Sequence, residues 1–153
     1  MNIETIIKTN NTLPDTRKVM LNILFNQGII LESLNEILKP FELSPEQFNV
    51  LRILRGQNKK PTNMCVIQER MITKSSNTTR LIDKLLLKGL VTRNVCLENR
   101  RKIEVAITKK GLDVLEQLDP KLVENENCFA QNLSETELEQ LNLLLEKYRK
   151  KND

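Results

Sequence analysis

Apolar positions recur at intervals of three and four along most of this chain, and the breaks in that rhythm mark its turns. From about Asp15 to Leu38, the residues Met20, Ile23, Leu24, Ile30, Leu31, Leu34, Ile37 and Leu38 fall on one stripe, which predicts a long amphipathic helix. Gly28 weakens the middle of that pattern without ending it, and Pro40 ends it. The next start signal is Ser44-Pro45-Glu46-Gln47, with Ser44 as N-cap, Pro45 as first helical residue and Gln47 completing a capping box. Phe48, Leu51, Ile53 and Leu54 follow as mainly buried positions, and the helix closes near Gly56. The loop GQNKKP after it is polar and basic.

A helix, a tight turn and a second helix come next. Thr62 or Asn63 caps a short helix with Met64, Ile67 and Met71 inward, and Ile72-Thr73-Lys74 forms the turn. The second helix is predicted from about Ser75 to Lys88, stopping at Gly89, a residue suited to the position just past a helix end. Thr78, Ile82, Leu85 and Gly89 share its packing face, flanked by Leu81 and Leu86. Ser76, Asn77, Thr79, Arg80, Asp83 and Lys84 occupy the opposite face.

Residues 90–95 and 102–107 are strand candidates, and in the second Ile103, Val105 and Ile107 alternate with Lys102, Glu104 and Ala106. The tip between them, from Cys96 to Arg101, is a solvent-exposed hairpin loop in this reading. Thr108 caps a further helix bearing Leu112, Leu115 and Leu118, which Asp119-Pro120 interrupts as a kink or a restart. Ser134-Glu135-Thr136-Glu137 is another capping box. The last helix carries Leu138, Leu141, Leu145 and Tyr148 in strict three–four alternation, a seam wide enough to meet another helix. No repeat or low-complexity segment interrupts this order. The pattern predicts a mainly α chain with one small β-hairpin, an α+β fold.

Composition narrows the function classes. At 153 residues the chain suits one domain, and 39% hydrophobic with 29% charged residues places it among globular proteins. Aromatics are 3%, so the core must rest on Leu, Ile and Val. No apolar run reaches membrane-spanning length, and the first residues lack the basic-then-apolar order of a secretion signal, so a cytoplasmic location is expected. Cys65, Cys96 and Cys128 form neither a disulfide framework nor a metal-ligand spacing. The chain has no histidine, which removes the commonest general base and the commonest metal ligand together. With no glycine-rich phosphate loop and no nucleophile–base constellation, an enzyme is a poor reading, and no cofactor or metal is expected.

Charge changes the picture more. Residues 44–110 carry 15 Lys and Arg against 5 Asp and Glu, while the rest of the chain carries 9 against 15. A basic middle between acidic ends is the footprint of a polyanion-binding module on a scaffold that does not bind. The free N–H groups and positive dipole end of the second helix suit phosphates or base edges. The short side chains of Ser75, Ser76, Asn77 and Thr79 permit close approach, and Arg80 is long enough to engage guanine bidentately or to clamp a phosphate. Lys84 extends that face. Lys59, Lys60 and Lys74 are phosphate-contact candidates, with ordinary solvated lysines as the alternative. The alternative for Ser75 and Ser76 is capping, and for Arg80 a surface pair with Asp83.

Three segments in this order, SPEQFNVLRIL, NTTRLIDKLLLKGLVTR and NRRKIEVAITKKG, resemble the MarR (multiple antibiotic resistance regulator) family of dimeric winged-helix transcription factors. The motifs span roughly residues 41–112, and the layout matches over nearly the whole chain. The resemblance implies a single domain over 1–153, with a winged helix-turn-helix at 44–110 and dimerisation helices at 1–43 and 111–153. It implies a homodimer that binds double-stranded DNA at a pseudo-palindromic operator, as a repressor relieved by a small-molecule effector. That effector would sit between dimer core and winged helix, and no residue here identifies it. Lys74, Ser75, Ser76, Asn77, Thr79, Arg80 and Lys84 then become the recognition-helix contacts. Asn99, Arg100, Arg101 and Lys102 become the wing, Arg101 entering the minor groove while Arg100 and Lys102 touch backbone phosphate. Leu138, Leu141, Leu145 and Tyr148 become dimer contacts. Two positions depart from the family pattern: Asn99 stands where Asp is usual, and Gln68 where a small Ala is frequent. Two alternatives stay open, a winged helix used for protein contact and a thiol-sensing regulator using Cys96, whose thiolate Arg93 or Arg100 would favour.

Overall fold

The computed structural model describes residues 1–58, 60–74, 76–95 and 103–150. The long first pattern folds as predicted into α2 (Asp15–Leu38), preceded by a short α1 (Ile3–Ile6). Glu4 ties the two together, accepting from the Leu13 N–H at 2.9 Å and pairing with Lys18 at 3.2 Å. These partners hold the Glu4 carboxyl below the ordinary glutamate range, with the Leu13 N–H as the leading cause. α2 is about 36 Å long at 1.5 Å per residue. Leu38 is its one fully buried residue, with Leu34 and Ile37 half-buried beside it. Pro40 sits in a 3-10 turn (Lys39–Phe41), and Glu42 takes a left-handed φ of 53° to redirect the chain.

The Ser44 capping box is present in full: Ser44 Oγ accepts from the Gln47 N–H at 3.2 Å, and Gln47 Oε1 accepts from the Ser44 N–H at 3.0 Å. It starts α3 (Pro45–Arg55), which buries Phe48, Val50, Leu51 and Leu54. This helix is the hub, packing against α2, α5, α6 and β3. Ile53, expected inside, is half-buried, while Val50 is fully enclosed.

A strand absent from the sequence reading follows. Thr62–Asn63 form β1, which pairs antiparallel with β3 (Ile103–Ile107), Thr62 opposite Val105. Two residues are too few for an alternation to register. Asn63 has a second role as N-cap of α4 (Met64–Arg70), its Oδ1 accepting from the Val66 N–H at 3.0 Å. β2 (Val91–Val95) pairs with the other edge of β3, so the sheet order is β1-β3-β2. Among the described residues of β2 and β3, Val91 and Val105 are the buried ones.

α5 (Thr78–Leu87) begins three residues later than the predicted Ser75. Four consecutive residues here suit a cap, and Asn77 takes the role by accepting from the Arg80 N–H at 3.1 Å. Ser76 belongs to the turn, its N–H donating to the Thr73 carbonyl at 3.2 Å. At the other end Gly89 takes φ +69°, as its position predicted.

Thr108 caps α6 (Lys109–Ala130) through the Gly111 N–H at 3.0 Å and donates its hydroxyl to the Gly89 carbonyl at 2.8 Å. A Cβ on Gly111 would lie 2.4 Å from the Leu90 carbonyl oxygen, so only glycine lets α6 come this close to the chain entering β2. Pro120 does not restart the helix, which runs through it. Asp119 is not a cap there. It holds Arg55 of α3 bidentately at 2.7 and 3.1 Å. The Ser134–Glu137 capping box is formed and starts α7 (Glu135–Arg149).

Among the described residues, fifteen buried hydrophobics from Leu38 to Leu118 make one core under the helix–turn–helix and sheet. α7 contributes none of its residues to it. Leu138 is half-buried, and Leu141, Leu145 and Tyr148 are exposed. No helix of the described residues is long and apolar enough to cross a membrane.

Candidate nucleic-acid interface

The helix–turn–helix is held by side chains as well as by its core. Gln68 on α4 reaches across the turn in both directions. Its Nε2 donates to the Lys74 carbonyl at 2.9 Å, and its Oε1 accepts from the Thr78 hydroxyl. The amide therefore pins the end of the turn and the first residue of α5 to one point on α4. Where a small alanine would leave a gap, glutamine supplies one donor and one acceptor, and both are used. Lys74 donates its ammonium to the Glu69 carbonyl, a further tie within the turn. An open cleft of about 510 Å³ lies between α4 and the start of α5, lined by Met64, Cys65, Gln68 and residues 76–79.

α5 turns Thr78, Ile82 and Leu85 into the core. Asn77, Thr79, Arg80, Asp83 and Lys84 are exposed on its other side, and Ser76 is half-buried beside them. The structure brings together all the recognition-helix candidates it describes: Lys74 in the turn, Ser76 and Asn77 before the helix, and Thr79, Arg80 and Lys84 on it. Ser75 lies outside the described residues, as does Lys59. So do Asn99, Arg100, Arg101 and Lys102 of the expected wing, together with Cys96.

Arg80 is not paired with Asp83, the alternative partner read from the sequence. Asp83 instead accepts from Arg93 of β2 at 2.8 Å. None of the ion pairs among the described residues involves Arg80 or Lys84. Arg93 is thereby committed to α5, fixing the first strand of the hairpin against the helix. The pair is about half exposed and is worth about 1 kcal/mol at most, so its contribution is orientation more than stability. Nothing periodic joins residues 83 and 93, which is why pattern reading missed it.

The arrangement is a short helix with a polar, cationic outer face, backed by a rigid apolar core and tied to an adjoining strand. Such a helix fits the major groove, where side chains meet base edges, while exposed lysines and backbone N–H groups meet phosphate.

A model of the MarR family matches residues 43–103, the helix–turn–helix and hairpin just described. YpoP of Bacillus subtilis, named as an HTH-type transcriptional regulator, is 37% identical over 108 residues, which cover 70% of this chain and 72% of that one. A crystal structure of a MarR transcription factor from Planctomyces limnophilus superposes with a TM-score of 0.68 at 33% identity, covering 89% of this chain and 97% of the other. The chain belongs to the MarR family. As a member it is a DNA-binding transcriptional regulator, and its mainly helical architecture with a small antiparallel sheet is the family's winged helix-turn-helix. The Escherichia coli transcriptional repressor MprA is a further relative, 27% identical over 124 residues that cover 79% of this chain and 69% of that protein.

Proposed function

We propose that this MarR-family protein acts as a homodimeric repressor on a roughly palindromic operator and is released by a small molecule. The observation that carries the reading is the outer face of α5. Arg80 and Lys84 stand exposed on it and enter no ion pair among the described residues, on the segment where basic residues outnumber acidic ones three to one. In this reading residues 44–110 meet the DNA, and 1–43 with 111–153 join two copies. Asn77, Thr79 and Arg80 face base edges, with Ser75, Ser76, Lys74 and Lys84 on base edges or phosphates around them. Arg101 enters the minor groove between phosphate contacts from Arg100 and Lys102, with Asn99 beside them.

Pairing is supported by what the chain leaves uncovered. Met20, Leu24, Ile30 and Leu31 on α2 are exposed, as are Leu141, Leu145 and Tyr148 on α7. Apolar stripes of this extent favour a second surface, and a two-fold arrangement would set two α5 helices on successive major grooves about one helical turn apart. Repression follows the name carried by MprA. The released state and its ligand are the family expectation, and no described side chain assigns the ligand's chemistry.

The test is duplex binding by fluorescence anisotropy, on fragments selected from genomic DNA and on random duplex, across a salt series. Specific binding that weakens steeply with salt is expected, because neutralised phosphates release counterions. Arg80→Ala should cost about 1–3 kcal/mol on selected DNA and much less on random DNA. An equal loss on both would make Arg80 a phosphate contact. Salt-independent or absent duplex binding would overturn the DNA reading.

A further inference from the structure

The N-terminal end of α5 carries Asn77, Thr79 and Arg80, yet the chain leading into it has little of its own to hold it. Met71 and Thr78 are buried, but between them residues 72–74 and Asn77 are exposed, Ile72 by 81%, and Ser76 is half-buried. Among the described residues, the backbone closes one hydrogen bond within this stretch, from the Ser76 N–H to the Thr73 carbonyl at 3.2 Å. The remaining ties run to α4. The Lys74 ammonium reaches the Glu69 carbonyl, but a flexible four-carbon stem sets no direction. The Gln68 side chain is different, because it holds the stretch at both ends.

Its geometry leaves one arrangement. The Lys74 carbonyl can only accept, so the amide nitrogen of Gln68 must face it, which leaves the amide oxygen for the Thr78 hydroxyl. Both groups sit on one planar carbon, so Lys74 and Thr78 are fixed relative to a single point on α4. Thr78 is 5% exposed and Gln68 half-buried, which keeps water from taking over the Thr78 bond freely. Asn77, the cap of α5, lies between the two tied residues, and Thr79 and Arg80 follow directly. Base edges are read only when donors and acceptors are held within about 0.5 Å of their working positions.

We propose that Gln68 is a positioning residue for sequence recognition, acting through the Lys74 carbonyl and the Thr78 hydroxyl to set where Asn77, Thr79 and Arg80 meet the bases. The inference rests on the reading of α5 as the DNA-contacting helix. It adds that discrimination between sequences depends on a half-buried amide of α4. Affinity for phosphate does not depend on it, because the exposed cations of α5 are placed by the helix as a whole.

The test compares selected and random duplex by anisotropy, using full-length Gln68→Ala and the double variant Gln68→Met with Thr78→Val. In the double variant apolar groups of similar shape replace both partners, so no buried hydroxyl is stranded, and Lys74 is exposed enough for water to serve its carbonyl. Its thermal unfolding should stay close to that of the unaltered protein, whereas Gln68→Ala should unfold earlier. Affinity for selected DNA should fall about ten-fold in both variants, within the range that one well-aimed bidentate base contact is worth. Affinity for random DNA and the salt slope should stay unchanged, since every phosphate-contacting cation remains. A purely structural role would lower both affinities in step with stability, and the double variant would recover. If the double variant discriminates as the unaltered protein does, or if both affinities fall together, the Gln68 assignment is overturned and the DNA reading stands. Absence of any duplex discrimination in the unaltered protein overturns both.

Discussion

The middle and the ends of this chain use the same aliphatic residues to opposite effect. Between Leu38 and Leu118, Leu, Ile, Val and Met close on one another until most have no exposed surface. On α7, Leu141, Leu144, Leu145 and Tyr148 stand 38–63% exposed, and the first two-thirds of α2 is similar. Both regions carry regular helices, capped by Ser44 and Asn77 in the middle and by Ser134 on α7, while α2 starts without a side-chain cap. The difference is that the middle folds its apolar faces onto a hub helix and a sheet, while the ends present theirs outward. The middle thus encloses its apolar faces, with Leu38 of α2 and Leu115 and Leu118 of α6 completing that core, while α7 and most of α2 leave theirs exposed. Polar features divide the same way. The middle exposes Arg80 and Lys84 on α5, which enter no ion pair among the described residues, and the ends expose grease.

The largest way to break that comparison is to charge the terminal seam. Leu141→Glu together with Leu145→Glu should give monomers or insoluble chain by size-exclusion chromatography with light scattering; a normal dimer would return those leucines to ordinary surface. Truncation in the middle should act differently. Leu51→Ala removes a fully buried side chain of the hub helix and should cost about 2–5 kcal/mol in denaturant unfolding. A smaller effect belongs at the junction of the two regions. Gly111→Ala forces a Cβ against the Leu90 carbonyl, and overpacking of this kind costs about 1–3 kcal/mol. A melting temperature at or above that of the unaltered protein would mean that α6 can shift away without loss.

The smallest effect is at the cap of α7. The N–H and hydroxyl of Ser134 hold the Glu137 carboxyl below its ordinary range, the N–H being the larger cause. A lowered folded-state value stabilises the cap at pH above the unfolded glutamate value, and that help is lost as pH falls through the folded one. Acid should therefore fray the start of α7 before it touches the α5 cap, which uses the neutral Asn77. Amide exchange at residues 134–138 checks this, and uniform loosening of both caps would contradict it.

How far the sequence carried the fold follows from the range of the interactions involved. Both capping boxes, Thr108 as a cap and Gly89 as a helix stop are set within four residues, and each was legible. The start of α5 was misplaced because Ser75, Ser76, Asn77 and Thr78 all suit a cap, and the choice fell to the backbone path that Gln68 fixes. β1 is too short to carry a period. Arg55–Asp119 and Asp83–Arg93 join residues 64 and 10 positions apart, and no local pattern announces such pairs. The outward face of α5 was legible as polar and basic, because helical periodicity separated it from Ile82 and Leu85.

Hydroxyl-radical footprinting of the full-length protein on a selected fragment tests the joined account most directly. Two copies each carrying one α5 should protect two patches whose centres lie about 10 base pairs apart. Leu141→Glu with Leu145→Glu should reduce them to one weak patch or none. A single uninterrupted footprint, or two patches that survive the charged seam, would contradict a reading helix carried by paired terminal helices.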